Sequence, residues 1–304
     1  MLCLKCNTEL ETKTAHYGLH PVCFTAWFKC PTINEFASLT RRSSSSTSNA
    51  KDNLSPQNNS FFQGKFKKYS AELAGQSYIL KMREVEAPEL PEVEYVCNQI
   101  GKLLEIPAAE FYLIHFNDEL VFVTKNFIRP GAPTDLQHIY HYRDDDKHSC
   151  EGLIHVIATQ TKRPYDVSQF IKTTLFDALI GNHDRHGKNL ALVVSSDGTA
   201  LSPIYDNVSY LSLEKGNMLK ADFNPTGRIH TRSTFEPSMR DYVKEFSHLG
   251  YQNEIIEFHK KIKINDLHKL ITQSHCSELM KAALTRLISK RLQELEDEIQ
   301  FHTR

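Results

Sequence analysis

The sequence has almost no excess charge, because 36 lysines and arginines are balanced by 37 aspartates and glutamates. This balance argues against a generally basic surface that follows phosphates, so no direct nucleic-acid binding is expected. The sequence lacks an apolar run of membrane-spanning length, and its N-terminus lacks a basic stretch followed by an apolar core. We therefore expect a soluble cytoplasmic protein without a membrane partner.

The cysteines do not have the pattern of a disulfide scaffold. There are seven of them, an odd number, and Cys97, Cys150 and Cys276 lie far apart. This distribution favours a reducing compartment. Since 40% of the 304 residues are hydrophobic, the chain can form one large two-lobed domain with a sizeable core.

Residues 1–34 are rich in cysteine and histidine. A Cys-x2-Cys pair and a later His-x2-Cys pair are compatible with one tetrahedral zinc site in a small zinc-knuckle-like segment. The candidate ligands are Cys3, Cys6, His20 and Cys23. His16 and Cys30 are predicted to be bystanders, and a reduced segment without metal is the alternative.

Residues 41–60 contain few apolar side chains and many serines and asparagines, which is typical of a flexible linker. A regulatory segment that is phosphorylated, including by the protein itself, is the alternative. Phosphate groups beside Arg41 and Arg42 could order such a segment. The candidate phosphorylation sites are Ser43, Ser44, Ser45, Ser46 and Ser48.

A polar loop at residues 180–189 lies between an apolar helix-like run and an apolar strand-like run. Asp184 and Asn189 follow an Asp-x4-Asn spacing, and Asp206 comes after a second strand-like piece. Protein-kinase-like phosphotransferases use this spacing: the first Asp orients and deprotonates the hydroxyl nucleophile, and the other two residues hold magnesium. A turn at residues 196–198 is predicted to bring the two magnesium ligands together. A polar surface loop is the alternative.

Strands are predicted at residues 61–73 and 76–81. Gly64 and Lys65 are candidates for a loop laid over phosphates, although this loop holds a single glycine. Lys81 ends the second strand, as the phosphate-contacting lysine of kinases does. Alternatively, the lysines before it are ordinary exposed strand residues, namely Lys65, Lys67 and Lys68.

A helix is predicted to open at Pro91 and to carry Glu94, which we expect to pair with Lys81 rather than to be exposed. Its apolar face is predicted to contain Val93, Val96, Cys97, Ile100, Leu103 and Leu104. Two further strands follow, and the second ends at Lys125 and Phe127, where a kinase-like fold has the hinge that reads adenine through its backbone. Later helices include an apolar stripe from Leu279 to Ile299 that predicts core packing.

These segments resemble the HipA family of serine/threonine kinases, the toxins of bacterial toxin–antitoxin systems. The resemblance covers about residues 60–210, and its most specific part is the Asn-x-Asp-x-His-x-x-Asn pattern. That pattern is complete here as Asn182, Asp184, His186 and Asn189. The resemblance implies a bilobed α+β fold, with a β-rich N-lobe at residues 35–128 and a helical C-lobe at residues 129–304.

The resemblance also implies roles for single residues, with ATP and magnesium as cofactors. Lys81 would bind phosphates and Glu94 would pair with it, Asp184 would be the catalytic base, and Asn189 and Asp206 would hold magnesium. His186 and Lys188 are further cofactor-binding candidates.

Family members of full length carry an extra N-terminal subdomain, for which this sequence has too few residues before the phosphate loop. It therefore resembles the shorter HipT-type kinases, whose partners are a HipB-like DNA-binding antitoxin and a separate small HipS-like protein. Characterised relatives phosphorylate aminoacyl-tRNA synthetases, so a translation component is the expected substrate. An inactive kinase-like zinc-knuckle module and a lipid or small-molecule kinase are the alternatives.

Overall fold

The computed structural model describes residues 1–11, 13–42, 68–128, 134–142, 148–187 and 189–302. The described strands are β1 (Ala37–Arg42), β2 (Lys68–Leu73), β3 (Gln76–Lys81), β4 (Phe111–Phe116), β5 (Glu119–Lys125), β6 (Asp135–His138), β7 (Ala191–Ser195) and β8 (Gly198–Leu201). The described α-helices are α1 (Pro21–Phe28), α2 (Leu90–Leu103), α3 (Cys150–Thr161), α4 (Pro164–Ile180), α5 (Met239–His248), α6 (Gln252–Lys261), α7 (Ile264–Thr272) and α8 (Glu278–His302).

Strands β1 to β5 form one antiparallel sheet in the order β1-β2-β3-β5-β4. A two-residue turn joins β2 to β3, and its residues Ala74 and Gly75 have φ angles of 50° and 73°. Two-residue turns with positive φ match the twist of the strands and fix their register. Lys68 therefore lies directly opposite Lys81, on the same face of the sheet.

Helix α2 packs on this sheet and is buried on nearly every side. Pro91 lies in its first turn, where backbone N–H groups have no acceptor within the helix, so a proline costs no helical hydrogen bond. Glu92, Glu94 and Asn98 are buried together with most of the predicted apolar face. Leu103 is 40% exposed, so its assignment to the buried face was wrong, because the helix ends at this residue.

The described part of the N-terminal segment, residues 1–11 and 13–34, covers the opposite face of the sheet. Phe24 and Phe28 of α1 share one apolar cluster with Tyr78 and Leu80 of β3. Side chains alternate along a strand, so Tyr78 and Leu80 point away from the face that carries Lys81. The N-terminal segment is therefore a separate layer behind the sheet.

A second core surrounds α4, which packs against α3, α5, α6 and α8. The stripe of α8 is buried from Met280 to Leu295, which confirms it as core packing, although Leu279 at the start of the helix is 40% exposed. Beside these helices lies the sheet β6-β7-β8. Its β7–β8 hairpin turns between Ser195 and Gly198, as predicted, and leads the chain from the loop after α4 towards Asp206.

The architecture is thus a sheet-rich lobe and a helical lobe, which is the predicted bilobed α+β arrangement. Among the residues described above, no helix combines the length and the apolar composition that crossing a bilayer requires.

Candidate active site

Four charged side chains meet between the sheet, α2 and the segment after β8; we call Lys68, Lys81, Glu94 and Asp206 the lysine–carboxylate cluster. Lys81 Nζ lies 2.5 Å from Glu94 Oε1 and 2.7 Å from Asp206 Oδ1. Lys68 Nζ lies 2.6 Å from Asp206 Oδ2. Three of the predicted site residues are therefore brought together, and Lys68 joins them.

The Asp206 carboxylate is shared by two ammonium groups. Burial opposes its ionisation, but the charges of Lys68 and Lys81 outweigh burial and hold the pKa of Asp206 far below its usual range. Burial also opposes the charge on Lys81, yet Asp206 and Glu94 raise the pKa of Lys81 above its usual value. For Lys68 burial prevails over the attraction of Asp206 and lowers the pKa. For Glu94 burial likewise prevails and raises the pKa.

The backbone of Asp206 is in the left-handed region, with φ 57°. This conformation is uncommon outside glycine, and such residues persist where their surroundings hold them. Two lysines form ion pairs with the carboxylate, and the carbonyl of the preceding residue, Tyr205, accepts a hydrogen bond of 2.8 Å from Arg185. The orientation of Asp206 is therefore fixed from both sides.

The loop that carries Asp184 starts where α4 ends, at Gly181 with φ 68°. Asn182 Oδ1 accepts a hydrogen bond of 3.1 Å from the Asp184 N–H, and Asn182 Nδ2 donates to Asp177 at 2.8 Å. The backbone of Asp184 is thereby anchored to α4, while its side chain is 43% exposed. An anchored but accessible carboxylate can reach a hydroxyl group of a second molecule.

Asn189 closes the same loop. Its Oδ1 accepts a hydrogen bond of 2.7 Å from the His186 N–H, and its Nδ2 donates to the Asp184 carbonyl at 2.6 Å. The amide oxygen keeps a second lone pair. Together with the Asp206 carboxylate it supplies the hard oxygen donors that magnesium prefers, so this donor set fits that ion.

Arg185, which is not among the predicted site residues, links several segments of the site. It is 2% exposed, and its Nε donates to Asp177 Oδ2 at 2.8 Å. Its Nη1 donates to the carbonyls of Asn189, at 3.2 Å, and Tyr205, at 2.8 Å. One guanidinium thus positions the segments that bear Asn189 and Asp206. An arginine in a polar loop gives no sequence signal of such burial.

The same guanidinium connects the loop to α2. Arg185 Nη2 donates to Asn207 Oδ1 at 2.5 Å, and Asn207 Nδ2 donates to Asn98 Oδ1 at 2.9 Å. Asn98 Nδ2 donates in turn to the Glu94 carbonyl at 2.8 Å. All three side chains of this hydrogen-bonded chain are buried. The chain therefore fixes the position of α2, which carries Glu94, relative to the loop that carries Arg185.

The alternative interpretation of Lys68 as an ordinary exposed strand lysine was wrong, because its side chain is 3% exposed. A signal existed in the sequence. A two-residue turn at Ala74 and Gly75 sets the register that places Lys68 opposite Lys81, and that turn could have been predicted from the strand patterns on both sides.

The other predicted residues lie outside the lysine–carboxylate cluster. Lys125 is opposite Tyr78, on the face away from Lys81, and its Nζ lies 3.8 Å from Glu110. Phe127 packs near the ring of Tyr205, at 6.2 Å between centroids. His186 lies beside Asp184, with 3.8 Å between Nε2 and Oδ1. Outside the described residues lie Gly64, Lys65, Lys67, Lys188, Ser43, Ser44, Ser45, Ser46 and Ser48.

A cavity of about 770 Å³ opens beside the exposed side of the Asp184 loop. Its wall includes His183, His186, Tyr210, Arg228 and Phe235. Arg228 Nη1 lies 4.0 Å from an Asp184 carboxylate oxygen. The cavity therefore adjoins the predicted catalytic base.

The N-terminal candidates also come together. The ligand atoms of Cys3, Cys6, His20 and Cys23 all lie within 4.8 Å of one another. The two predicted bystanders have other partners: His16 Nε2 lies 2.9 Å from the Asn34 carbonyl, and Cys30 Sγ lies 3.5 Å from the Phe28 carbonyl.

The HipA-like C-terminal domain family model matches residues 50–289 of this chain. The chain is 27% identical over 212 residues to the "Putative kinase Y4dM" of Sinorhizobium fredii, an alignment that covers 62% of this chain and 48% of that protein. It is 21% identical over 186 residues to the "Serine/threonine-protein kinase toxin HipA" of Shewanella oneidensis, with 51% and 42% covered. The chain thus spans about half the length of these curated relatives.

Two solved structures share the fold. The Helicobacter pylori proinflammatory kinase CtkA superposes with a TM-score of 0.63 at 18% identity, over 77% of this chain and 93% of CtkA. HipA of Shewanella oneidensis MR-1, solved with HipB and operator DNA, superposes with a TM-score of 0.53 at 16% identity, over 74% of this chain and 60% of that one.

Proposed function

The chain belongs to the HipA-like C-terminal domain family, and on that premise we propose that it is an ATP-dependent kinase that phosphorylates serine or threonine in a protein. The observation that carries the proposal is the convergence of Lys68 and Lys81 on Asp206. Arg185 links the segment of Asp206 to the Asp184 loop through the carbonyls of Tyr205 and Asn189. Phosphoryl transfer depends mainly on positioning and charge neutralisation, and this cluster supplies both.

Each residue has a proposed task. Lys81, oriented by Glu94, and Lys68 bind the phosphate oxygens of ATP. Asp184 orients the acceptor hydroxyl and takes its proton as the oxygen attacks the γ-phosphorus, while the bond from that phosphorus to the β,γ-bridging oxygen breaks and ADP leaves. Asn189 and Asp206 would hold magnesium, which neutralises phosphate charge when bound.

We further propose that the acceptor belongs to a translation component such as an aminoacyl-tRNA synthetase, and that the protein acts as a HipT-type toxin in the cytoplasm, where ATP and that substrate occur. Support comes from the family resemblance and from the toxin HipA of Shewanella oneidensis as a relative. The solved HipA complex contains HipB, so a HipB-like antitoxin is the proposed partner, together with a small HipS-like protein. Self-phosphorylation within Ser43–Ser48 is proposed on the same resemblance.

The decisive experiment incubates the purified protein with γ-labelled ATP, magnesium and a bacterial lysate, and identifies the labelled proteins. Asp184→Asn is expected to reduce labelling by at least about 100-fold while ATP still binds, because a general base contributes roughly that much. Asp197→Asn, in the exposed β7–β8 turn, is the control and should label as the wild type does.

Two outcomes would reject the proposal, and a third would reject the role of Asp184. Nucleotide binding without any labelled product would favour an inactive binding module. Label in lipid or in a small molecule would favour that substrate class instead. Full labelling by the Asp184→Asn variant would remove Asp184 from its role.

A further inference from the structure

We propose that Cys3, Cys6, His20 and Cys23 bind one structural zinc ion, which holds the N-terminal segment against the nucleotide-lobe sheet. These four residues take no part in the proposed phosphoryl transfer. They belong to the layer behind the sheet, on the face opposite Lys81. The inference therefore does not depend on the kinase proposal.

The distances suit a tetrahedral ion. Zinc–sulfur bonds of about 2.3 Å and zinc–nitrogen bonds of about 2.1 Å imply sulfur–nitrogen edges of roughly 3.6 Å. His20 Nδ1 lies 3.5 Å from Cys6 Sγ and 3.9 Å from Cys23 Sγ. Cys3 completes the group, within which no two ligand atoms are more than 4.8 Å apart. One ion at the centre can therefore reach all four atoms with small adjustments.

The histidine is already oriented as a ligand. His20 Nε2 lies 2.8 Å from the Glu9 carbonyl oxygen, which can only accept a hydrogen bond. In the neutral imidazole the proton must then be on Nε2, so that Nδ1 directs a lone pair at the three sulfurs. Histidines that bind metals commonly use this second hydrogen bond to fix the tautomer and the ring.

The local backbone brings the two pairs together. Cys3 and Cys6 lie on a tight turn, in which the Asn7 N–H donates to the Cys3 carbonyl at 2.9 Å. His20 precedes α1 directly, and Cys23 lies in the first turn of that helix. The turn supplies two of the four ligands, and the start of the helix supplies the other two. A site with four protein ligands leaves no open coordination position, as is typical of structural zinc sites.

The segment also has direct ties to the sheet. The His115 N–H of β4 donates to the Tyr17 carbonyl at 2.9 Å, and the ring of Phe28 lies 4.5 Å from that of Tyr112. The apolar side chains of this short segment share one core with β3, the strand that ends in Lys81. The ion would therefore stabilise the layer that supports Lys81 from behind.

The first test measures metal content in the full-length protein, purified under reducing conditions from zinc-supplemented medium. One zinc per chain is expected by elemental mass spectrometry, and less than about a tenth of that in a Cys6→Ser/Cys23→Ser variant. Cys30→Ser is the matched control, since Cys30 is a cysteine of the same segment outside the cluster. Cobalt substitution should give the absorption of a tetrahedral site with thiolate ligands.

The second test concerns the structural role. Removal of zinc by a chelator should lower the thermal midpoint of the wild type and speed amide exchange in β3 (Gln76–Lys81), and should change neither in the double variant. The proposal would be overturned if the wild-type protein had intact thiols but no metal, held iron in place of zinc, or had a disulfide among these cysteines. So would zinc loss without any effect on β3. None of these readouts requires kinase activity.

Discussion

The ammonium group of Lys68 lies 2.6 Å from the carboxylate of Asp206, although 138 residues separate the two in the chain. The contact joins the first strand of the β2–β3 hairpin to the segment that follows β8. Since Lys81 contacts the other oxygen of the same carboxylate, two lysines and one aspartate form the centre of the proposed nucleotide site.

Lys68→Met should reduce kcat/KM for ATP by roughly 100-fold to 1000-fold, because it removes one preorganised cationic donor from the site. Lys125→Met is the matched control: it also removes a strand lysine, but on the face away from Lys81, and should leave kcat/KM nearly unchanged. Equal losses in the two variants would contradict a specific role for Lys68.

Arg185→Met should lower the free energy of unfolding by about 3–5 kcal/mol, since it leaves the buried Asp177 without its ionic partner. Arg163→Met removes an arginine that is 50% exposed and 3.8 Å from Asp166, and should cost at most about 1 kcal/mol. Chemical denaturation of both variants measures the difference, and similar losses would count against the central position of Arg185.

Gly181→Ala should destabilise the protein by about 1–3 kcal/mol more than Gly75→Ala. Both glycines have similar left-handed φ angles, 68° and 73°, so the backbone cost is shared. A Cβ at Gly181 would lie 2.7 Å from Leu287 and 2.8 Å from Pro225, whereas a Cβ at Gly75 meets no atom within 4 Å. Denaturation curves that show equal destabilisation would contradict this packing argument.

Asp206 should make stability depend on pH at the acid end. Its pKa is lowered in the folded protein, so its carboxylate stabilises the fold above the ordinary Asp pKa of about 4 and loses that effect as the pH falls further. Unfolding free energies of the wild type and Asp206→Asn should therefore differ most near neutral pH and converge below about pH 4. A constant difference across this range would show that the Asp206 charge is not involved.

The sequence alone determined the long core helix, the turn between β7 and β8, and the catalytic-loop motif whose family resemblance implied the kinase-like fold class. These features depend on local periodicity, on turn residues and on one compact motif, all of which act over a few neighbouring positions. The clustering of the three N-terminal cysteines with His20 was also predictable, since the Cys-x2-Cys and His-x2-Cys spacings identify these residues.

The tertiary structure decided which charged residues are buried and with whom they pair. Lys68, Lys125 and Arg185 are all cations in stretches that look polar in the sequence. Lys68 nevertheless lies in the lysine–carboxylate cluster, Lys125 lies on the other face of the sheet, and Arg185 links two loops. A charged side chain is buried where a distant partner compensates its lost hydration, and that partner is brought near only when the whole chain folds.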